Sequence, residues 1–295
     1  MAKKVLMIGA HLDDCDFEGG GTALKYIEAG YEVRFLSLCN GSGGHHILSP
    51  SEIIARRKKE SEAVMKLTGI TYDVWSDVND CEIMATLELR KRLIRYIREY
   101  NPDIIFSHRL NDYHADHRNA ALLVQDASYL LVVPNFCLEA PAMRFMPVIM
   151  YFHDRFTDPV FRPDVVIPTD DVIEKKYAMY DCYVSQMYEW LPYVDGVLNQ
   201  VPDDPKERLE WLHCPRVPRD GTMLTVEDLD VPRISSASEY REATCAVKYR
   251  DLLVKQYGEE ARGTLFAEAF QLSEYGKKLT KDNIKELFPW VKNYK

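Results

Sequence analysis

Residues 4–30 read KVLMIGAHLDDCDFEGGGTALKYIEAG, and this stretch decides the fold. Lys4 to Gly9 is a short apolar run closed by glycine, the pattern of a strand buried on both faces. Residues 19–30 open with three glycines and end in Gly30, as a helix with a C-terminal glycine cap does. Between them lies a polar turn, Ala10-His11-Leu12-Asp13-Asp14. A buried strand, a turn and a helix make the first half of a βαβ unit.

The alternation continues along the chain. YEVRFLSLC (31–39) predicts a second strand, and NGSGGHH after it a loop. The spacing predicts a helix from Ser51, a candidate N-cap, to Gly69. TYDVW (71–75) predicts a short strand. TLELRKRLIRYIREY (86–100) places Leu89, Leu93 and Ile97 at helical spacing. Past Pro102, DIIFSH (103–108) predicts another strand, residues 114–131 a helix, and PVIMYF (147–152) a further strand. Residues 164–187 predict a strand and then a helix. The fold class is therefore α/β: a Rossmann-like, doubly wound, mostly parallel sheet with helices on both faces. In such sheets ligands bind beyond the carboxyl ends of the strands, near the switch in strand order. That makes AHLDD and SHRLNDYHADH (107–117) the site candidates.

The tract from about 191 to 236 is rich in proline and charge and predicts a surface excursion. A helical stretch follows at about 238–257, and then the apolar run LFAEAFQL (265–272). We read residues 1–295 as one domain with an atypical excursion at about 191–260.

Composition narrows the function. The 295 residues are 46% hydrophobic and 28% charged, as in an ordinary soluble globular protein. A net charge of −9 argues against a partner that is a nucleic acid. The run Arg56-Arg57-Lys58-Lys59 is followed by Glu60 and Glu62 and reads as a solvated helix face. No apolar stretch is long enough to span a membrane, and the short run at the start reads as a strand rather than a signal peptide, so a cytoplasmic location is expected. Seven cysteines without a CxxC pair point to buried thiols rather than disulfides or a thiolate zinc site.

The chemistry lies in the two polar segments. An imidazole and a carboxylate three residues apart, His11 and Asp14, can converge on one cation just after a strand. Asp13 then projects elsewhere and is free to act on a water. His114 and His117, three apart on a helix, share a face. Two histidines and one carboxylate with an open fourth position suit catalytic zinc. Each segment alone has an ordinary alternative: Asp13-Asp14 as a helix cap with a first-turn acid, and the histidines as surface residues. The glycine run also suggests a nucleotide loop, but it lacks G-x-G-x-x-G and sets acids where phosphates would sit.

Taken together, AHLDD (10–14) and HADH (114–117) resemble the AHPDD and HxDH signatures of the GlcNAc-phosphatidylinositol de-N-acetylase family, the LmbE-like proteins. Arg57-x-x-Glu60 with Gly69, Asn101-Pro102-Asp103, Ser185-Gln186 and Ala267-Glu268-Ala269-Phe270 extend the resemblance over about residues 3–190 and a short terminal segment. Leu12 departs from it, standing where the family usually has proline. The resemblance implies a zinc-dependent hydrolase, with Zn2+ or another divalent ion on His11, Asp14 and His117. It implies Asp13 as base for a zinc-bound water, His114 as donor to the oxyanion, and Asp116 as the group that holds His114. It gives Arg57 and Asp80 as contacts to sugar hydroxyls, with a helix-surface pair to Glu60 and a turn as their ordinary alternatives. Tyr113 is a candidate phenolic donor or a packed loop residue. His45 and His46 either line the cleft or lie in solvent. The expected substrate is a small N-acyl amino sugar or glycoconjugate. A non-catalytic carbohydrate-binding protein, an amidase on a non-sugar substrate and a nucleotide-binding protein are the alternatives, and a homo-oligomer is left open.

Overall fold

The structure is a computed structural model that describes residues 2–213, 222, 224, 225, 228 and 239–294. Seven strands form one sheet: β1 (Lys4–Gly9), β2 (Glu32–Ser37), β3 (Thr71–Val74), β4 (Ile104–Ser107), β5 (Val148–Phe152), β6 (Val165–Pro168) and β7 (Ala267–Gly276). Their spatial order is β3-β2-β1-β4-β5-β7-β6. Strands β1 to β5 pair in parallel, and β7 runs antiparallel between β5 and β6. The α/β reading, mostly parallel with helices on both faces, holds. The apolar run at 265–272 is the start of β7 and fills a place in the sheet.

Alternation along β1 divides the interior. Val5 and Met7 join one core, with Tyr26, Phe106 and Tyr177. Leu6 and Ile8 join the other, with Leu93, Ile97 and Leu123. A strand buried on both faces carries apolar residues at every position, because successive side chains point to opposite sides. The first core lies under α1 (Asp14–Glu28), α2 (Pro50–Thr68) and α5 (Ile173–Cys182); the second lies under α3 (Leu87–Tyr100) and α4 (Ala115–Ser128).

Helix boundaries follow local chemistry. The cap of α2 is Ser49 rather than Ser51, with Pro50 at the first turn and Glu52 closing a capping box. Gly69 ends α2 in the left-handed conformation (φ 79°). Helix α1 starts at Asp14, earlier than the glycines suggested. In the excursion, α6 (Leu191–Val194) and α7 (Pro205–His213) are helical, and the stretch at 238–257 is two helices, α8 (Glu239–Lys248) and α9 (Arg250–Tyr257). The last helix is α10 (Ile284–Leu287). Residues 214–221 and 229–238 of the excursion lie outside the described residues. Among the described residues no helix is long and apolar enough to cross a membrane.

The glycine run has a packing role. Glu268 of β7 accepts the amides of Gly21 (2.8 Å) and Thr22 (2.7 Å), and Lys176 of α5 donates to the carbonyl of Phe17 (3.0 Å). Lys176 also pairs with Glu268 (2.6 Å) and Glu242 (2.5 Å), and all three are buried. A charged cluster thus grips the backbone in the middle of α1. A Cβ on Gly21 would lie 2.7 Å from Thr169 Cγ2, so only glycine permits this approach.

Candidate active site and metal centre

The chain order β3-β2-β1-β4 places the switch point between β1 and β4. The turn after β1 supplies His11, Asp13 and Asp14, and the segment after β4 supplies His108, Asp112, His114, Asp116 and His117. Both candidate segments therefore meet at one end of the sheet.

Ligand atoms of three residues converge there, Asp14 offering a different oxygen to each histidine. His11 Nδ1 lies 3.2 Å from His117 Nε2 and 3.4 Å from Asp14 Oδ2, and His117 Nε2 lies 3.3 Å from Asp14 Oδ1. An ion with bonds of about 2.0–2.1 Å to N and O ligands in tetrahedral geometry spaces its ligands by about 3.3–3.4 Å. The triangle fits that edge. Its electrostatics fit as well. Burial lowers the His117 ring, but the Asp14 and Asp112 carboxylates raise it further, to about 10. Burial lowers His11 too, and Asp14, Asp116 and Asp80 bring it well above its ordinary value. Burial raises the Asp14 carboxyl, yet His117, His108 and His11 draw it well below the usual carboxylate range. Such a pocket collects positive charge, which a divalent cation supplies in place of protons.

Carboxylates surround the triangle. Asp112 Oδ1 lies 3.0 Å from His117 Nδ1, and Asp80 Oδ1 lies 3.1 Å from His11 Nε2. Both contacts are short but out of line with a ring N–H, so they are charge contacts rather than straight hydrogen bonds. They turn Nε2 of His117 and Nδ1 of His11 toward the shared centre, as outer carboxylates do for metal-bound histidines.

Asp116 behaves differently from the expectation that it holds His114. Its carboxylate accepts the amides of Cys81 (2.7 Å) and Ile83 (3.2 Å) and lies 3.4 Å from His11 Nε2. The reason is helix geometry. His114 is the N-cap of α4, with φ −91° and ψ 134°, and its Nδ1 accepts the amide of Asp116 (3.1 Å). That bond leaves the hydrogen of a neutral ring on Nε2. Burial, followed by His11 and His117, holds His114 below its ordinary pKa, so the ring is neutral. One of its nitrogens lies within 4.8 Å of ligand nitrogens of His11 and His117.

Asp13 occupies the N-cap position of α1 but makes no cap bond with its side chain. Its Oδ2 accepts from Arg57 Nη2 at 2.9 Å, and both residues are buried. Gln186 accepts from Arg57 Nη1 at 3.3 Å. Arg57 thus pairs neither with Glu60, which accepts the Ser185 amide and hydroxyl, nor with solvent. Burial opposes the Arg57 charge, and Asp13 and Glu60 more than restore it. Asp80 carries an oxygen on His11 and accepts the Gly43 amide (3.3 Å). Tyr113 is 74% exposed at the rim, its ring 5.7 Å from that of His114. His45 is tied down, with Nδ1 accepting the Ile47 and Leu48 amides and Nε2 on Glu189 (2.8 Å). His46 stacks on Tyr193 at 4.1 Å. Leu12 is buried against the side of Gly41 that bears no side chain.

Two residues of the site escaped the sequence reading. His108 is buried, stacks on His117 at 4.1 Å, and sets Nε2 3.1 Å from Asp14 Oδ2. Asp112 orients His117. Both lie inside the polar segment 107–117, whose position after a buried strand was the available signal.

The chain is similar to several known proteins. The chain is 28% identical over 206 residues to the diacetylchitobiose deacetylase of Thermococcus kodakarensis, covering 65% of this chain and 75% of that protein. It is 25% identical over 206 residues to the 4-oxalmesaconate hydratase of Pseudomonas putida, covering 67% and 80%. The crystal structure of the 4-carboxy-2-hydroxymuconate hydratase of Pseudomonas putida superposes with a TM-score of 0.66 at 19% identity, over 95% of this chain and 98% of that one, which shows the shared fold. Residues 6–128, which contain the turn after β1, Arg57, Asp80 and the segment after β4, match the family described as GlcNAc-PI de-N-acetylase (PIG-L).

Proposed function

We propose that the chain is a metal-dependent hydrolase that removes an N-acyl group, in the first instance N-acetyl, from an amino sugar or glycoconjugate. The observation that carries this reading is the ligand triangle of His11, Asp14 and His117, with the Arg57-held carboxylate of Asp13 next to it in the chain. His11, Asp14 and His117 would hold the ion, which supplies Lewis acidity and a water acidified to near neutral pH. Zinc suits a set of two imidazoles and one carboxylate. Asp13 takes a proton from the attacking water. Arg57 fixes the orientation of that carboxylate. His114, neutral and bearing its hydrogen on Nε2, donates toward the oxygen of the acyl group as charge builds there. The departing nitrogen recovers a proton from Asp13.

A hydratase reading has support in the similarity to the 4-oxalmesaconate hydratase. Charge weighs against it. A carboxylated unsaturated acid needs cations in the cleft. Among the described residues Arg57, Arg56 and Arg109 are each paired with a carboxylate, of Asp13, Glu189 and Asp154 respectively, while Arg118, exposed beside His117, donates to the carbonyls of Asp112 and Tyr113. Asp14 is part of the triangle, and four more aspartates, 13, 80, 112 and 116, surround it. Such a field repels a polyanion and accepts a neutral sugar whose product is a cationic amine.

Elemental analysis of the purified protein, with amine release from N-acetylglucosamine and N,N'-diacetylchitobiose, tests the proposal. About one zinc per chain with amine release supports it. Hydration of an unsaturated carboxylate without amine release from any N-acyl sugar would replace it with the hydratase reading.

A further inference from the structure

Beside the triangle lies a second set of donors that the proposed reaction does not use as ligands. Ligand atoms of Asp80, Cys81 and His114 all lie within 4.8 Å of one another. Cys81 is exposed, whereas Cys15, Cys39, Cys137 and Cys245 are buried and Cys182 is partly buried. Its Sγ lies 3.5 Å from Asp80 Oδ1. Bonds of about 2.3 Å to sulfur and about 2.0 Å to oxygen at a tetrahedral ion give a sulfur–oxygen edge of about 3.5 Å. A thiol, a carboxylate and an imidazole at this spacing form a donor set for a soft divalent cation.

We propose that Cys81, Asp80 and His114 form a second cation site, selective for thiophilic divalent ions such as Zn2+ and Cd2+, whose occupancy inhibits the enzyme. On binding, the Cys81 thiol releases its proton to solvent and the sulfur bonds the ion. His114 Nδ1 accepts the Asp116 amide, so either ring nitrogen can ligate only when that cap bond is given up. The second site is therefore weaker than the first, and it fills only when cation exceeds one equivalent. Filling it takes His114 away from the acyl oxygen and draws Asp80 off His11. The inhibitory part of the inference rests on the role given to His114 in the proposed function; the binding part does not.

The test is a Cd2+ titration of protein already carrying one zinc per chain, followed by the ultraviolet thiolate-to-cadmium absorption band and, in parallel, by amine release. The expected band rises to one thiolate per chain, and activity falls along the same curve. Cys81→Ser should lose the band, keep the basal activity, and need at least tenfold more Cd2+ for the same inhibition. No band in the parent protein, or the same band in Cys81→Ser, overturns the site. A band with unchanged activity overturns the inhibition and keeps the site. Should the protein release amine from no substrate, the absorption measurement still decides the site, so failure of the functional reading is distinguishable from failure of this one.

Discussion

Arg57 donates from Nη2 to Asp13 Oδ2 at 2.9 Å in a pair closed off from solvent, and this single contact joins α2 to the turn after β1. Removing one member of a buried pair leaves the other charge uncompensated, at a cost of about 3–5 kcal/mol. Both Asp13→Leu and Arg57→Leu should lose about that much stability in urea denaturation. The double variant should recover most of it, because the stranded charge is gone. Activity should not recover. Turnover should fall by about 10²–10⁴ wherever Asp13 is replaced, with bound metal retained. Near-normal turnover in Asp13→Asn would remove Asp13 from the mechanism.

Asp112 makes a different kind of contribution. It lies 3.0 Å from His117 Nδ1 and is not one of the three residues proposed to hold the ion. Outer partners of metal-bound histidines are worth about 10–100-fold in metal affinity. Asp112→Asn keeps the volume and loses the charge. It should raise the metal dissociation constant by about that factor in a competition with a chelator, with little change in turnover once metal is saturating. Unaltered affinity would show that His117 is oriented by its stacking on His108 alone.

Much of this was legible in the sequence because the site lies on local signals. A buried strand followed at once by charged residues is a physical oddity, and β1 with His11 and Asp14, or β4 with His117, shows it over a dozen residues. The rest depends on tertiary contacts that no short window contains. Nothing local announces that Asp116 serves His11, since its partners Cys81 and Ile83 lie on a loop more than thirty residues away. Arg57 read as part of a basic helix surface and, by resemblance, as a contact to sugar hydroxyls; nothing local announced that it is buried on Asp13. The glycine run invited a phosphate-loop reading, while its cause is Glu268, which reaches α1 from a strand 247 residues along from Gly21. The pairing of β7 between β5 and β6 is equally remote, so its apolar run carried no sign of its place.

That grip on α1 leads to a prediction opposite in sign to helix propensity. Alanine in a helix interior is favoured over glycine by about 1 kcal/mol. At Gly21 the added methyl would meet Thr169 Cγ2 at 2.7 Å and Glu268 Oε1 at 2.9 Å. Gly21→Ala should therefore destabilise, by about 1–3 kcal/mol, as overpacking of a tight interior does. Gly20, whose nearest such contact is 3.4 Å, is the control and should be close to neutral or stabilised. Denaturation midpoints of the two variants decide it. A Gly21→Ala protein as stable as the parent would mean that Glu268 and Thr169 shift freely and that the glycine is not required by packing.

Acid sensitivity should trace in part to His153, which is not one of the residues proposed to hold the ion. Its ring packs edge-on to Phe161 at 5.0 Å. Burial, then the charges of Lys248, Arg241 and Arg109, lower its pKa from 6.5 to about 3. Between those values the unfolded chain binds a proton there and the folded chain does not. Folding stability then rises with pH across the window, by about 1.4 kcal/mol per unit, and is lost as pH falls from 6.5. His153→Phe keeps an aromatic ring and removes the proton site. Relative to pH 7, the parent should lose about 3 kcal/mol more than the variant by pH 4.5, measured by urea denaturation at each pH. Metal release at low pH affects both proteins alike and cancels in the difference. Parallel stability curves for the two would show that His153 is protonated in the folded state and that the three cations around it do not repel its charge.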